Sequence, residues 1–203
     1  MVGYSMVDPP RDEFSSQEPR PSGKGDEERM RALMEDHLPQ LRAFVRLRTG
    51  RALLAKDSLS DLVQSTCREV IEDLPTATLT TKRAFLHWLY KAAERKIVDR
   101  ARYWGRAKRD PGKLAEFDDF EGLDQVYNRL GTPSRIASGR EELERFEQTF
   151  AKLPEDYQVV ILLHRVVGLP HAEVSREMNR SENAVRSLLF RALAHLSTLL
   201  EAK

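Results

Sequence analysis

Arg180, Arg186 and Arg191 lie in NRSENAVRSLLFRAL at intervals that set them on, or just before, the outer face of one helix. A guanidinium there can donate two parallel hydrogen bonds to a base edge or bind a phosphate, so the chemistry on offer is recognition rather than bond making. Arg186 is the first choice for a base or a neighbouring phosphate, and Arg191, about a turn further on, for the backbone. A merely solvated face would also carry both. A second cationic set, Lys91, Arg95, Lys96, Arg100 and Arg102, is interleaved with large rings in AFLHWLYKAAERKIVDRARYW. Such a face attracts phosphate, and Tyr103 and Trp104 at its end add rings on which unpaired bases could stack. The competing reading uses these rings to complete the core, and Trp88 in particular reads as structural.

Catalytic and metal chemistry have no comparable basis. The five histidines, His37, His87, His164, His171 and His195, show no HExxH or similar ligand spacing, and no GxGxxG or GxxxxGK loop is present. His164 and His171 are seven apart across a helix break, which suits surface or packing roles. Cys67 is the only cysteine, so an internal disulfide and a cysteine-based zinc site are both excluded. The chain is expected to be neither an enzyme nor the holder of a metal or cofactor.

The elements that must position the arginines are legible between Leu153 and Leu196. Pro154 suits a first helical turn, with Glu155 and Asp156 at its positive end. Val159, Val160, Leu162, Leu163 and Val167 supply more apolar surface than one contact needs, and Gly168 ends the helix. A short helix then holds Val174 and Met178, Asn179 takes the turn because asparagine tolerates a left-handed backbone, and Ser181 caps the next helix. Val185, Leu189, Ala192 and Leu196 should face its core. Three helices broken in this way read as a helix-turn-helix.

Apolar residues recur throughout at three and four positions, and glycine is sparse, so the fold class is all-α. A net charge of +1 conceals a strong asymmetry: Lys82 to Lys113 carries eleven Lys/Arg against three Asp/Glu, whereas Leu114 to Asp156 carries eleven Asp/Glu against five Lys/Arg. A basic stripe is thus followed by an acidic connector. The expected organisation is a disordered tail at 1–26, a helical domain at 27–109, a flexible linker at 110–140 and a second helical domain at 141–203. In the first domain a helix from about Glu27 to Thr49 is kinked or restarted by Pro39. A second begins near Ser58 to Ser60 and ends at Pro75, and a third runs from Arg83 to about Tyr103. Phe117, Phe120, Leu123, Val126 and Tyr127 offer one short docked helix inside the linker. No stretch reaches the length of a membrane span and the start lacks the apolar core of a secretion signal, so a cytoplasmic protein without membrane insertion is expected.

SDLVQSTCREV, from Ser60 to Val70, has a different character. Leu62, Val63 and Thr66 face inward, and Asp61, Gln64, Ser65, Arg68 and Glu69 form a polar face without clustered positive charge, suited to a protein partner. With this helix in view, the chain resembles RNA polymerase sigma factors of the extracytoplasmic-function type. The likeness is carried by DLVQ at Asp61 to Gln64, by FLHWLYKAAERKIVDRAR at Phe85 to Arg102, by LPEDYQVVILLHRVVGL at Leu153 to Leu169 and by SENAVRSLLFRAL at Ser181 to Leu193.

The resemblance implies a sigma region 2 bundle and a sigma region 4 helix-turn-helix, binding core RNA polymerase and promoter DNA. Asp61, Leu62, Gln64 and Arg68 would dock on the clamp helices of the largest catalytic subunit. The loop at Thr76 to Lys82 and the helix behind it would capture and open the minus-10 element through Lys82, Lys91, Arg95, Lys96, Asp99, Arg100, Arg102 and Tyr103. The minus-35 element would be read by Arg180, Ser181, Glu182, Asn183, Ala184, Arg186, Ser187 and Arg191. The acidic linker would lie along the polymerase near the RNA path, and an anti-sigma factor is an admissible further partner. Some positions depart from the family pattern: Leu188 stands where VKSRL has an arginine expected to touch DNA, Lys96 replaces an asparagine, and Pro170 and His171 replace a serine and aromatic pair. The rival reading, a helix-turn-helix regulator that binds duplex DNA as a dimer without core polymerase, leaves the DLVQ face unexplained.

Overall fold

Pro39 divides the first helical region. In the computed structural model, which describes residues 24–73, 81–106, 126–127 and 140–202, α1 (Lys24–Asp36) stops and α2 (Leu38–Leu54) restarts within two residues. Proline is tolerated in a first turn because the N–H it lacks has no partner there. The first run of α2 breaks beside the expected end at Thr49: Gly50, with φ 69° and ψ 166°, is not helical, and helical turns resume across that kink to Leu54.

Ser58 starts α3 (Leu59–Asp73), its Oγ accepting the Asp61 N–H at 3.0 Å. Leu62, Val63, Thr66 and Val70 are buried, the spacing of one helical face. Thr81 starts α4 (Lys82–Arg106) in the same way, accepting the Ala84 N–H at 3.1 Å. Phe85, Leu89, Ala92, Ala93 and Ile97 bury its inner side. Residues 1–23 of the expected tail, the loop at 74–80 and nearly all of the expected linker lie outside the described residues, whereas 24–26, expected in the tail, are the first residues of α1. Within the linker, Val126 and Tyr127 are described: both are helical and buried, and Tyr127 stacks on Phe146 with ring centroids 4.7 Å apart.

The second set of helices begins with α5 (Arg140–Phe150). The helix expected from Pro154 to Val167 is composite: α6 (Glu155–Ile161) widens into a π-helix over Leu162–Val166, in which the Val167 N–H reaches the Leu162 carbonyl at 2.9 Å. A π-turn holds more residues than an α-turn, so this strongly apolar run is spread around several neighbours instead of forming one stripe. Gly168 ends it at φ 82°. Nothing stands within 4 Å of a Cβ placed on Gly168, so Gly168→Ala carries the backbone penalty alone. The expected loss is about 1 kcal/mol, or ~2–4 °C in Tm, read from thermal melting by circular dichroism.

After Pro170, α7 (His171–Glu177) and α8 (Glu182–Glu201) form the paired helices of the motif. Asn179 occupies the turn at φ 50°, the left-handed value its side chain tolerates. Ser181 caps α8 by accepting the Ala184 N–H at 3.3 Å. No strand occurs among the described residues. Both helix sets contribute to one buried apolar cluster, which includes Phe44, Leu89 and Ile97 from the first and Phe146, Leu162 and Leu196 from the second.

Candidate nucleic-acid interface

The capped end of α8 presents a continuous polar surface. Arg180, Ser181, Glu182, Asn183, Ala184, Arg186, Ser187 and Arg191 are all exposed. Their commitments differ: Arg180 is ion-paired with Asp156, and Ser181 spends its hydroxyl on the cap. Arg186 has only a loose contact with Glu182 at 3.6 Å, and Arg191 donates from Nε to the Ser187 carbonyl at 3.3 Å. Arg186 is therefore the least committed guanidinium of the three.

Phe190 is 76 % exposed on the same face, three and four residues beyond Ser187 and Arg186. A ring there can touch a thymine methyl in a major groove. Sequence reasoning passed over it, although the signal was available: Phe190 falls outside the core repeat of Val185, Leu189, Ala192 and Leu196. Leu188, expected at a DNA-contacting position, is instead 3 % exposed and turned into the core. Its aliphatic side chain is what that site requires, so it takes nothing from the outer face. The helix break also brings His164 and His171 together, with ring centroids 4.3 Å apart and His164 Nδ1 2.8 Å from the Leu169 carbonyl oxygen. Burial, His164 and Arg186 hold the His171 imidazole below its usual range.

The basic helix α4 is more heavily paired than its sequence indicates. Lys82 is exposed, whereas Arg95 and Lys96 both reach Glu69 on α3, at 3.5 and 2.6 Å. Arg102 has a weak 3.9 Å contact with Asp99, and both are open to solvent. Arg100 forms a two-pronged pair with the buried carboxylate of Asp57, whose Oδ2 also accepts the Trp104 indole N–H at 2.7 Å. Lys56 sits 5.7 Å above the Trp104 ring. Trp104 is thus docked, Trp88 packs against Phe85, and Tyr103 is the ring left outward, 57 % exposed with the Arg100 guanidinium 5.4 Å from its centroid. Lys91 points elsewhere: its Nζ lies 2.8 Å from Glu177 of α7. Asp57 had no sequence signal, being a single acid in a short connection. Its burial works against ionisation, but hydrogen bonds from Arg100 and Trp104 outweigh that and hold the carboxyl below its ordinary 3.8.

On α3, Asp61, Gln64 and Arg68 are exposed at spacings of three and four, which is one helical face. Leu62 is 3 % exposed, so it supports that face from beneath. This surface lies on a different helix from the α4 cations and carries an acid, an amide and one guanidinium.

Comparison with known proteins gives the same division. The family model described as Sigma-70 region 2 matches residues 33–107, and that described as Sigma-70, region 4 matches residues 143–196. The chain is 31% identical over 147 residues to the ECF RNA polymerase sigma factor ShbA of Streptomyces griseus, covering 72% of this chain and 74% of that protein. It is 27% identical over 172 residues to the ECF RNA polymerase sigma factor SigD of Mycobacterium tuberculosis, covering 85% and 77%. Identity to the RNA polymerase sigma factor NccH of Alcaligenes xylosoxydans xylosoxydans is 25% over 203 residues, covering 97% and 98%. No solved structure matches the chain.

Proposed function

Because the chain belongs to the family of extracytoplasmic-function RNA polymerase sigma factors, we propose that its three polar surfaces divide the work of directing core RNA polymerase to promoters. The α3 face of Asp61, Gln64 and Arg68, with Leu62 holding it in place, docks on the clamp helices of the largest catalytic subunit. Lys82, Lys91, Arg95, Lys96, Asp99, Arg102 and Tyr103, together with the loop before α4, engage and open the minus-10 element. Arg186, Ser187, Asn183, Ala184 and Arg191, approached by Arg180, Ser181 and Glu182, read the minus-35 element. The modules are 27–109 and 141–203, joined by 110–140, and the protein works in the cytoplasm beside polymerase and chromosome.

Strand opening needs no catalytic group here. Contacts to unpaired bases and phosphates offset unstacking, which costs a few kcal/mol per disrupted step, and polymerase supplies the chemistry. The observation that carries this reading is the presence on α3 of a polar face without clustered positive charge, beside two separate cationic ones, since a simple duplex binder has no use for it. Transcription reconstituted from core polymerase and this protein, with the 5′ ends of its products sequenced, tests it: a shared upstream pair of elements is the expected result, and unselective starts would reject it. In that assay Arg186→Ala should reduce use of cognate over minus-35-altered templates by about tenfold, the value of one good base contact. Equal loss on both templates would remove Arg186 from sequence reading.

A further inference from the structure

The carboxylates that hold the α4 cations are not equally exchangeable. Asp57 and Glu177, which hold Arg100 and Lys91, have side chains only 8 % and 15 % exposed, so losing a partner would leave each acid with neither countercharge nor water. Those pairs resist replacement. Glu69, in the second half of α3, is 33 % exposed and carries two cations of the neighbouring helix, with Lys96 Nζ 2.6 Å from Oε2 and Arg95 Nη2 3.5 Å from Oε1. An ion pair this open to water contributes little net free energy, so a phosphate oxygen can take the carboxylate's place with the fold intact.

Arg95, Asp99 and Arg102 follow at intervals of four and three along one exposed stripe of α4, with Lys96 at its edge and the outward ring of Tyr103 following Arg102. Glu69 and Asp99 together offset all but one of the positive charges of Arg95, Lys96 and Arg102. Glu69 has the closer hold, since Asp99 approaches Arg102 only to 3.9 Å. The stripe thus meets a phosphate chain with less charge than the sequence of α4 carries.

We propose that Glu69 is a specificity-determining residue that competes with DNA phosphate for Lys96 and Arg95, and so limits how tightly α4 holds the opened minus-10 strand. The inference rests on the minus-10 reading of α4 above. Phosphate attraction carries no sequence information, so limiting it shortens the hold on any open strand whose bases do not fit. Each phosphate neutralised on a single strand adds about 0.7 to the steepness of log affinity against log salt. One further contact therefore strengthens binding about fivefold at about 0.1 M salt and adds nothing near about 1 M.

Fluorescence anisotropy of holoenzyme, assembled from core polymerase and the full chain, tests the competition on a labelled fork template. The template is taken from a promoter mapped by transcript 5′ ends and leaves the minus-10 strand unpaired. Glu69→Gln, which keeps the side chain's size, should tighten binding about fivefold at about 0.1 M salt and steepen the slope by about 0.7, on cognate and minus-10-altered templates alike. Adding Lys96→Met should return the slope to that of the unmodified protein. Circular dichroism shows that each variant is folded, and Glu69→Ala replaces Glu69→Gln if it is not. A purely structural Glu69 would lower Tm and leave the slope as it was, so an unchanged slope or weaker binding in the folded variant overturns the competition. Arg95→Ala with Arg102→Ala tests the stripe itself. If that pair of changes leaves the slope of the unmodified protein as it was, α4 is off the DNA and the minus-10 reading falls with the inference. If it flattens the slope while Glu69→Gln does nothing, the inference alone falls.

Discussion

Asp61→Ala combined with Gln64→Ala is expected to weaken association with core RNA polymerase by about a hundredfold or more, while leaving binding of the isolated protein to minus-35 duplex little changed. Two adjacent polar side chains at the centre of a protein interface, once truncated, commonly cost ~1.5–2 kcal/mol each, and part of that cost is the partner's group left without a hydrogen bond. Both residues are exposed, so neither substitution empties the core. Asp61 does lie in the first turn of α3, where a carboxylate interacts favourably with the positive helix end. Its loss there accounts for only about 0.3–1 kcal/mol of stability, which a thermal melt separates from the binding effect. Fluorescence anisotropy of labelled protein titrated with core polymerase gives the Kd directly. A Kd within threefold of the unmodified protein's would remove the α3 face from the polymerase interface.

The α3 face was legible in sequence because it is an outward set on a regular helix: burial follows period, and Leu62, Val63, Thr66 and Val70 had nowhere else to go. The same logic placed the helix-turn-helix, its Asn179 turn and its Ser181 cap, each of which is fixed by residues close in sequence. Three features were not legible. The π-helix at Leu162–Val166 comes from packing against several partners at once, and no local residue announces it. The inward turn of Leu188 depends on where α8 meets its neighbours, so a pattern that expected arginine there gave the wrong surface. The pairing of α4 could not be read because Glu69, Asp57 and Glu177 stand 26, 43 and 86 residues from the cations Arg95, Arg100 and Lys91 that they hold. A run of positive charge therefore reads as a phosphate surface until the fold shows which charges are already satisfied.

Asp57→Ala tests that last distinction, with an expected loss of about 2–3 kcal/mol in stability. Asp57 accepts two hydrogen bonds from Arg100 and one from Trp104, and bonds to a charged group contribute about 1.5–3 kcal/mol where the donor is otherwise stranded. The estimate stays at two to three for the whole cluster because the Arg100 side chain is 40 % exposed and regains water when its partner is lost, leaving the half-buried indole N–H as the main orphan. For a chain of this size the shift is about 4–12 °C in Tm. The folded-state pKa of Asp57 is depressed, so its stabilisation is complete above the ordinary value of 3.8 and is lost as pH falls through the lower folded one. The Tm difference between the two proteins should accordingly be constant from pH 5 to 7 and narrow below pH 4. The same cluster decides the role of Arg100, which sequence alone assigns to DNA phosphate. If its guanidinium is structural, Arg100→Ala lowers Tm by several degrees and leaves the salt dependence of promoter binding as it was. An unchanged melt, with the slope of log affinity against log salt reduced by about one, would return Arg100 to the DNA.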